Sequence, residues 1–198
     1  KQMPARKFYN QIESNAKKRL RELSPELTYH CFDHTMDVLE QSVRIAEAEG
    51  VTDPVNIFLL KVAALYHDTG FLKAYRFHEA ASCDIFMEET RGFDFSEADI
   101  AVVKRLIMAT QIPQQPADIL EKIICDADLD YLGRDDFFRI GDTLRKEFLH
   151  FKVVANEGEW ENLQLKFLKN HSYHTSSSQQ LREPAKQLNI SKLLPEQK

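Results

Sequence analysis

Leu65-Tyr66-His67-Asp68-Thr69-Gly70, LYHDTG, closes an apolar run with a histidine and an aspartate side by side. Alone, the pair would be a polar helix end. A chemical reading needs further ligands elsewhere in the chain, and the sequence supplies them. Upstream, YHCFDH puts His30 and His34 four residues apart, on one face if a helix extends through both. Downstream, ICDADLDYLG sets Asp126, Asp128 and Asp130 among Ile123, Ile124, Leu129 and Leu132. Carboxylates at alternate positions in an apolar segment are costly to bury as isolated ions, and coordinating a cation offsets that cost.

The surrounding chain reads as helix. It has 198 residues with only six glycines and seven prolines, and long apolar periodicities run between these breakers. The patterns predict helices near 5–23, 33–49, 54–67, 78–91, 96–110, 119–132, 134–155 and 158–172. Ser96 caps one start, and Ile112-Pro113-Gln114-Gln115-Pro116 marks its stop. Ser176-Ser177-Ser178 and the residues after it read as a polar, frayed tail. The expected fold is all-α: one helical bundle with its site in a central cleft. An N-terminal helix covers 1–24, a core 25–150, and C-terminal helices with the polar tail 151–198.

Bulk properties exclude several functions. A hydrophobic fraction of 43% with 29% charged residues is that of a soluble globular chain, and a formal charge of -5 argues against binding nucleic acid backbones. Ile57 to Tyr66, interrupted by Lys61, is far short of the roughly 20 residues that span a bilayer, so no membrane partner is expected. Cys31, Cys83 and Cys125 are scattered and odd in number, which suits free thiols in a cytoplasmic protein. The opening KQMPARKFYN has no Met at position 1 and no apolar signal region, and reads as a processed chain or a piece of a longer one. Homo-oligomerisation is left open.

With His34, His67, Asp68 and Asp126 in this order, the stretch from about Tyr29 to Gly133 resembles the HD-domain superfamily of metal-dependent phosphohydrolases. The resemblance implies that these four residues hold a divalent metal, with Zn, Mn, Fe and Mg as candidates and one or two ions in the site. Asp128 and Asp130 are not expected to ligate the metal; one of them is expected to orient a ligand or a neighbouring backbone group. Tyr29-His30 with His34 is similar to the YHN-x-x-H segment of cyclic-nucleotide phosphodiesterases, which makes His30 the candidate general acid, although Cys31 stands where that pattern has Asn. Asp68 is the candidate bridging and catalytic carboxylate, and His78 the candidate ligand of a second metal. Thr110 occupies the kind of position where dinuclear members carry another His. Phe71 stands where many members place a phosphate-binding Lys, which leaves Lys73, Arg76 and Arg134 as candidate substrate-binding residues.

The activity implied is hydrolysis of a small-molecule phosphoester, a nucleotide monoester or diester, by water activated on the metal. Two alternatives are a non-catalytic metal-binding regulatory or interaction module of a signalling protein and a di-iron oxygenase. Thr110 in place of a histidine argues against the oxygenase. Alarmone hydrolysis is discounted because Thr69-Gly70-Phe71-Leu72 departs from an HDxxED pattern. His171 and His174 read as a surface helix terminus.

Overall fold

The computed structural model describes residues 4–195 and is built of helices, with no strand among the described residues. A 3₁₀ turn at Pro4–Phe8 leads into α1 (Tyr9–Leu20), followed by α2 (Phe32–Ala48) and α3 (Pro54–Tyr66). Asp53 caps α3 by accepting from the Val55 N–H, and Pro54 sits at the first helical position, where a missing N–H costs nothing. The apolar run that follows covers nearly the whole circumference of the helix. Phe58, Leu59, Leu60, Val62, Ala63, Ala64, Leu65 and Tyr66 are all buried, as expected of a helix at the centre of a bundle. α1, α2, α4 (His78–Thr90), α5 (Glu97–Ala109) and α6 (Ile119–Asp128) pack around it.

The end of α3 is therefore held in the core. There the chain tightens into a 3₁₀ turn, Thr69–Leu72, that lies against α4. Gly70 permits the approach. A Cβ there would stand 1.8 Å from the His78 carbonyl oxygen and 2.7 Å from the Ser82 amide nitrogen. The Ser82 hydroxyl completes the joint, accepting from Gly70 N–H and donating to the His67 carbonyl.

A second apolar cluster joins Tyr29, Leu129, Tyr131, Leu132, Phe137, Leu168 and Ile190. It is formed by α7 (Phe137–His150), α8 (Glu157–Asn170), α9 (Ser176–Leu193) and the 3₁₀ turn Asp130–Gly133. Gly133 lets α9 approach as Gly70 lets α4, since a Cβ there would stand 2.3 Å from the Arg182 carbonyl oxygen.

Three expectations need correction. The segment 119–132 breaks at Leu129 and finishes as the separate turn, so its three aspartates do not share one helix. The helix expected at 134–155 is shorter, Phe137–His150. The polar tail is α9, capped by Thr175, which accepts from the Ser178 N–H. Its buried side carries Ser178, Lys186, Asn189 and Ile190, too polar to show an apolar period. Asn189 donates to the carbonyls of Leu132 and Arg134, and Lys186 to the carbonyl of His171. The first three residues of the expected N-terminal segment and the last three of the tail lie outside the described residues. The three cysteines are free, and no described helix is long and apolar enough to cross a membrane.

Candidate metal centre

Four side chains from three segments converge beside the HD turn. His67, fully buried at the end of α3, donates from Nδ1 to the Ala64 carbonyl at 2.7 Å, which fixes the ring and turns Nε2 to the cluster as the atom that would bind a metal. His34 lies in the first turn of α2, its ring against Tyr29 with centroids 4.6 Å apart. Asp68 follows His67, and Asp128 is the last residue of α6. His34 Nε2 stands 3.0 Å from Asp128 Oδ1 and 3.4 Å from Asp68 Oδ2; His67 Nε2 stands 3.3 and 3.2 Å from the same two oxygens.

This set fits a divalent cation. Donors held about 2.1 Å from a common ion are roughly 3.0 Å apart at right angles and roughly 3.4 Å apart at tetrahedral angles, the range found here. His67 Nε2 and Asp68 Oδ2 are buried without a hydrogen-bond partner, an expensive arrangement unless a ligand satisfies them. Burial works against both carboxylates, but the histidines outweigh it. His67 and His78 hold Asp68 well below the usual carboxylate range, and His34 and His67 hold Asp128 down to about 2. Both are ionised at neutral pH, the form that binds a metal.

Asp68 also faces the other way. Its Oδ1 is 3.1 Å from His78 Nε2, and Glu79 Oε1 is 3.6 Å from the same nitrogen. The Phe71 ring stacks on His78 at 3.9 Å between centroids and meets His30 at 4.3 Å, so it sets the planes of both imidazoles. Thr110 donates its hydroxyl to the Ile107 carbonyl and brings no nitrogen donor to this second position.

His30 is anchored by Glu147 of α7. Glu147 Oε1 accepts from the backbone N–H groups of Tyr29 and His30, and Oε2 accepts from the Tyr75 hydroxyl and lies 2.6 Å from His30 Nδ1. Burial disfavours a charged imidazole here, but the Glu147 hydrogen bond and the Asp68, Glu147 and Asp128 charges prevail. They raise the His30 pKa above its ordinary value. Glu147 itself is lowered, because His30 outweighs the effect of burial.

The HD-domain family model matches residues 31–130, just over half of the chain and the stretch that carries all four converging donors. The chain belongs to the HD-domain family. No curated protein and no solved structure matches it.

Within this HD domain, Asp126 is not where the sequence reading put it. Its carboxylate turns away from the histidines and caps the start of the C-terminal helix, accepting from the N–H groups of His174 and Thr175 and from the Thr175 hydroxyl at 2.8 Å. Burial raises its pKa while those donors work the other way. Asp128, not expected among the metal ligands, takes its place in the cluster. Residues two positions apart on a helix are separated by about 200°, so only one carboxylate of the DAD segment faces the histidines. Asp130, on the turn after α6, meets Arg44, Arg134 and Arg182.

Two of the three candidate substrate-binding cations are engaged elsewhere. Lys73 pairs with Glu88 on the surface, and Arg134 is held by Asp37, Asp130 and Asp136. Arg76 lines the cavity beside the metal donors and stays available. His171 and His174 are not a free surface end: His171 is bound by Lys186 Nζ, and His174 Nε2 meets Gln114. Glu147 was missed although the sequence carries a sign of it. Phe137, Ile140, Leu144, Glu147 and Phe151 follow the three-four spacing of one apolar stripe, and an acid on such a stripe demands a partner.

Asp68, His78, His30 and Asp128 open onto a cavity of about 570 Å³, within the size range of small-molecule sites.

Proposed function

We propose that this HD domain is a metal-dependent phosphohydrolase that cleaves the phosphate ester of a nucleotide or another alcohol. The observation that carries the reading is the placement of a Glu147-anchored imidazole, His30, on the same cavity as Asp68 and Asp128, whose carboxylates converge with His34 and His67 behind them. Those four residues would hold a divalent cation, which would supply a water of lowered pKa and polarise phosphoryl oxygens.

The chain's own groups supply the rest. Asp68, with one oxygen toward each histidine group, is placed to take the proton from the attacking water, and with His78 it would be the residue to hold a second ion. Glu147 occupies His30 Nδ1, so the proton at Nε2 is the one offered to the departing alkoxide, and the raised pKa favours the imidazolium form that carries it. Arg76 is the one of the three expected cations still placed to meet a phosphate.

The test is phosphate release from a panel of esters with added Mn, Mg, Zn or Fe. The His30→Ala variant should keep its metal and lose about 10²-fold or more on alkyl and ribosyl esters. On nitrophenyl esters, whose leaving group departs without a proton, the loss should be smaller. Equal losses on both substrate types would remove His30 from the acid role. Metal binding with no hydrolysis of any ester would favour a regulatory module instead.

A further inference from the structure

The cavity has two unlike ends. Its charged wall residues, Asp68, Arg76, Glu79 and Asp128, are carried by the HD turn, the start of α4 and the end of α6, beside the metal donors. The wall contributed by α7 and α8 is apolar, with Phe137, Leu144, Phe148, Trp160, Phe167 and Leu168 in it. Gln164 is the sole polar side chain these two helices add. The rim carries exposed apolar side chains as well, beside the exposed Arg76 and Gln111. Phe77, Ile112, Val153 and Leu163, all on this cavity, are among the most exposed large hydrophobic side chains of the described residues, Phe77 at 75% and Ile112 at 54%.

A nucleoside placed with its phosphate at the metal donors would turn ribose hydroxyls and ring nitrogens against that wall. On that wall only Gln164 could meet them; the cavity's other uncharged polar side chains, Tyr29, Thr110, Gln111 and Tyr131, lie outside α7 and α8, and buried polar groups without partners weaken binding. An alkyl or aryl group has no such demand and gains from every apolar contact. We propose that the substrate is a phosphate ester of a bulky apolar alcohol, with its phosphate at the His34, His67, Asp68 and Asp128 donors and its hydrocarbon part between α7 and α8. This rests on the phosphohydrolase reading for the chemistry and on the cavity wall for the alcohol.

The test separates the two. Calorimetric titration of the metal-loaded protein with ethyl-, butyl-, hexyl- and octylphosphonate, below their aggregation limits, measures the apolar arm without requiring turnover. Affinity should rise about fourfold for each methylene until the arm is filled, and octylphosphonate should bind more tightly than adenosine monophosphate. Leu163→Lys and Val153→Lys change exposed rim positions, so the fold should tolerate them; with melting temperature and metal content unchanged, each should flatten the chain-length gain. Affinity independent of chain length, tighter binding of the nucleotide, or a gain untouched by both rim variants would overturn the proposal. A chain-length gain in binding, with no hydrolysis of the matching alkyl phosphates under any metal, would leave the apolar arm standing and remove the phosphohydrolase reading.

Discussion

At the scale of single residues, the site depends on which way each carboxylate turns. LYHDTG and His34 pointed to the cluster from sequence because an apolar helix ending in His-Asp has few other uses for them. The choice between Asp126 and Asp128 was not legible, since spacing places them on opposite sides of a helix without saying which side meets the histidines. Glu147 is the other residue whose role rests on contacts 117 positions apart in sequence. Replacing it with Gln should lower the His30 pKa. A general acid is lost as pH rises through its pKa, so the basic limb of the pH–rate profile should move to lower pH in Glu147→Gln. An unmoved limb with unchanged kcat would mean that Glu147 serves the fold alone.

At the scale of elements, the two close approaches of helix to turn were hidden in the sequence as ordinary glycines. Gly70→Ala should cost about 1–3 kcal/mol or more, because the Cβ would meet the backbone of α4 rather than a yielding side chain. It should also shift His78, and a melting curve alongside metal stoichiometry would register both. The long central helix was readable from its unbroken apolar run, whereas α9 was not, because its buried contacts are polar and form only with α8 and the Asp130–Gly133 turn already in place. That junction has a pH signature. Burial, with the Lys186 charge adding to it, lowers the His171 pKa to about 3. The unfolded chain, with an ordinary pKa near 6.5, takes up a proton at a higher pH than the native one. Stability should therefore fall as pH drops from about 6.5 toward 3, by at most about 1.4 kcal/mol per unit from this residue. His171→Gln should show a shallower acid decline in chemical denaturation, and an identical slope would exclude His171 as a source of it.

At the scale of the molecule, the metal donors come from α2, the end of α3 and the end of α6, and His30 is tied to α7, so the centre joins the two apolar clusters of the bundle. A ligand that binds only the folded form stabilises it by about 2.7 kcal/mol at a hundredfold excess over its Kd. Chelation should accordingly lower the melting temperature, and an unchanged melt would argue against a metal bridging these helices. The most direct test of the centre is metal stoichiometry in Asp128→Asn set beside Asp126→Asn. Asp128→Asn should lose the bound divalent ion. Asp126→Asn should keep it while melting earlier, because an amide cannot accept all the donors of His174 and Thr175. Metal retained in Asp128→Asn and lost in a folded Asp126→Asn would contradict the assignment.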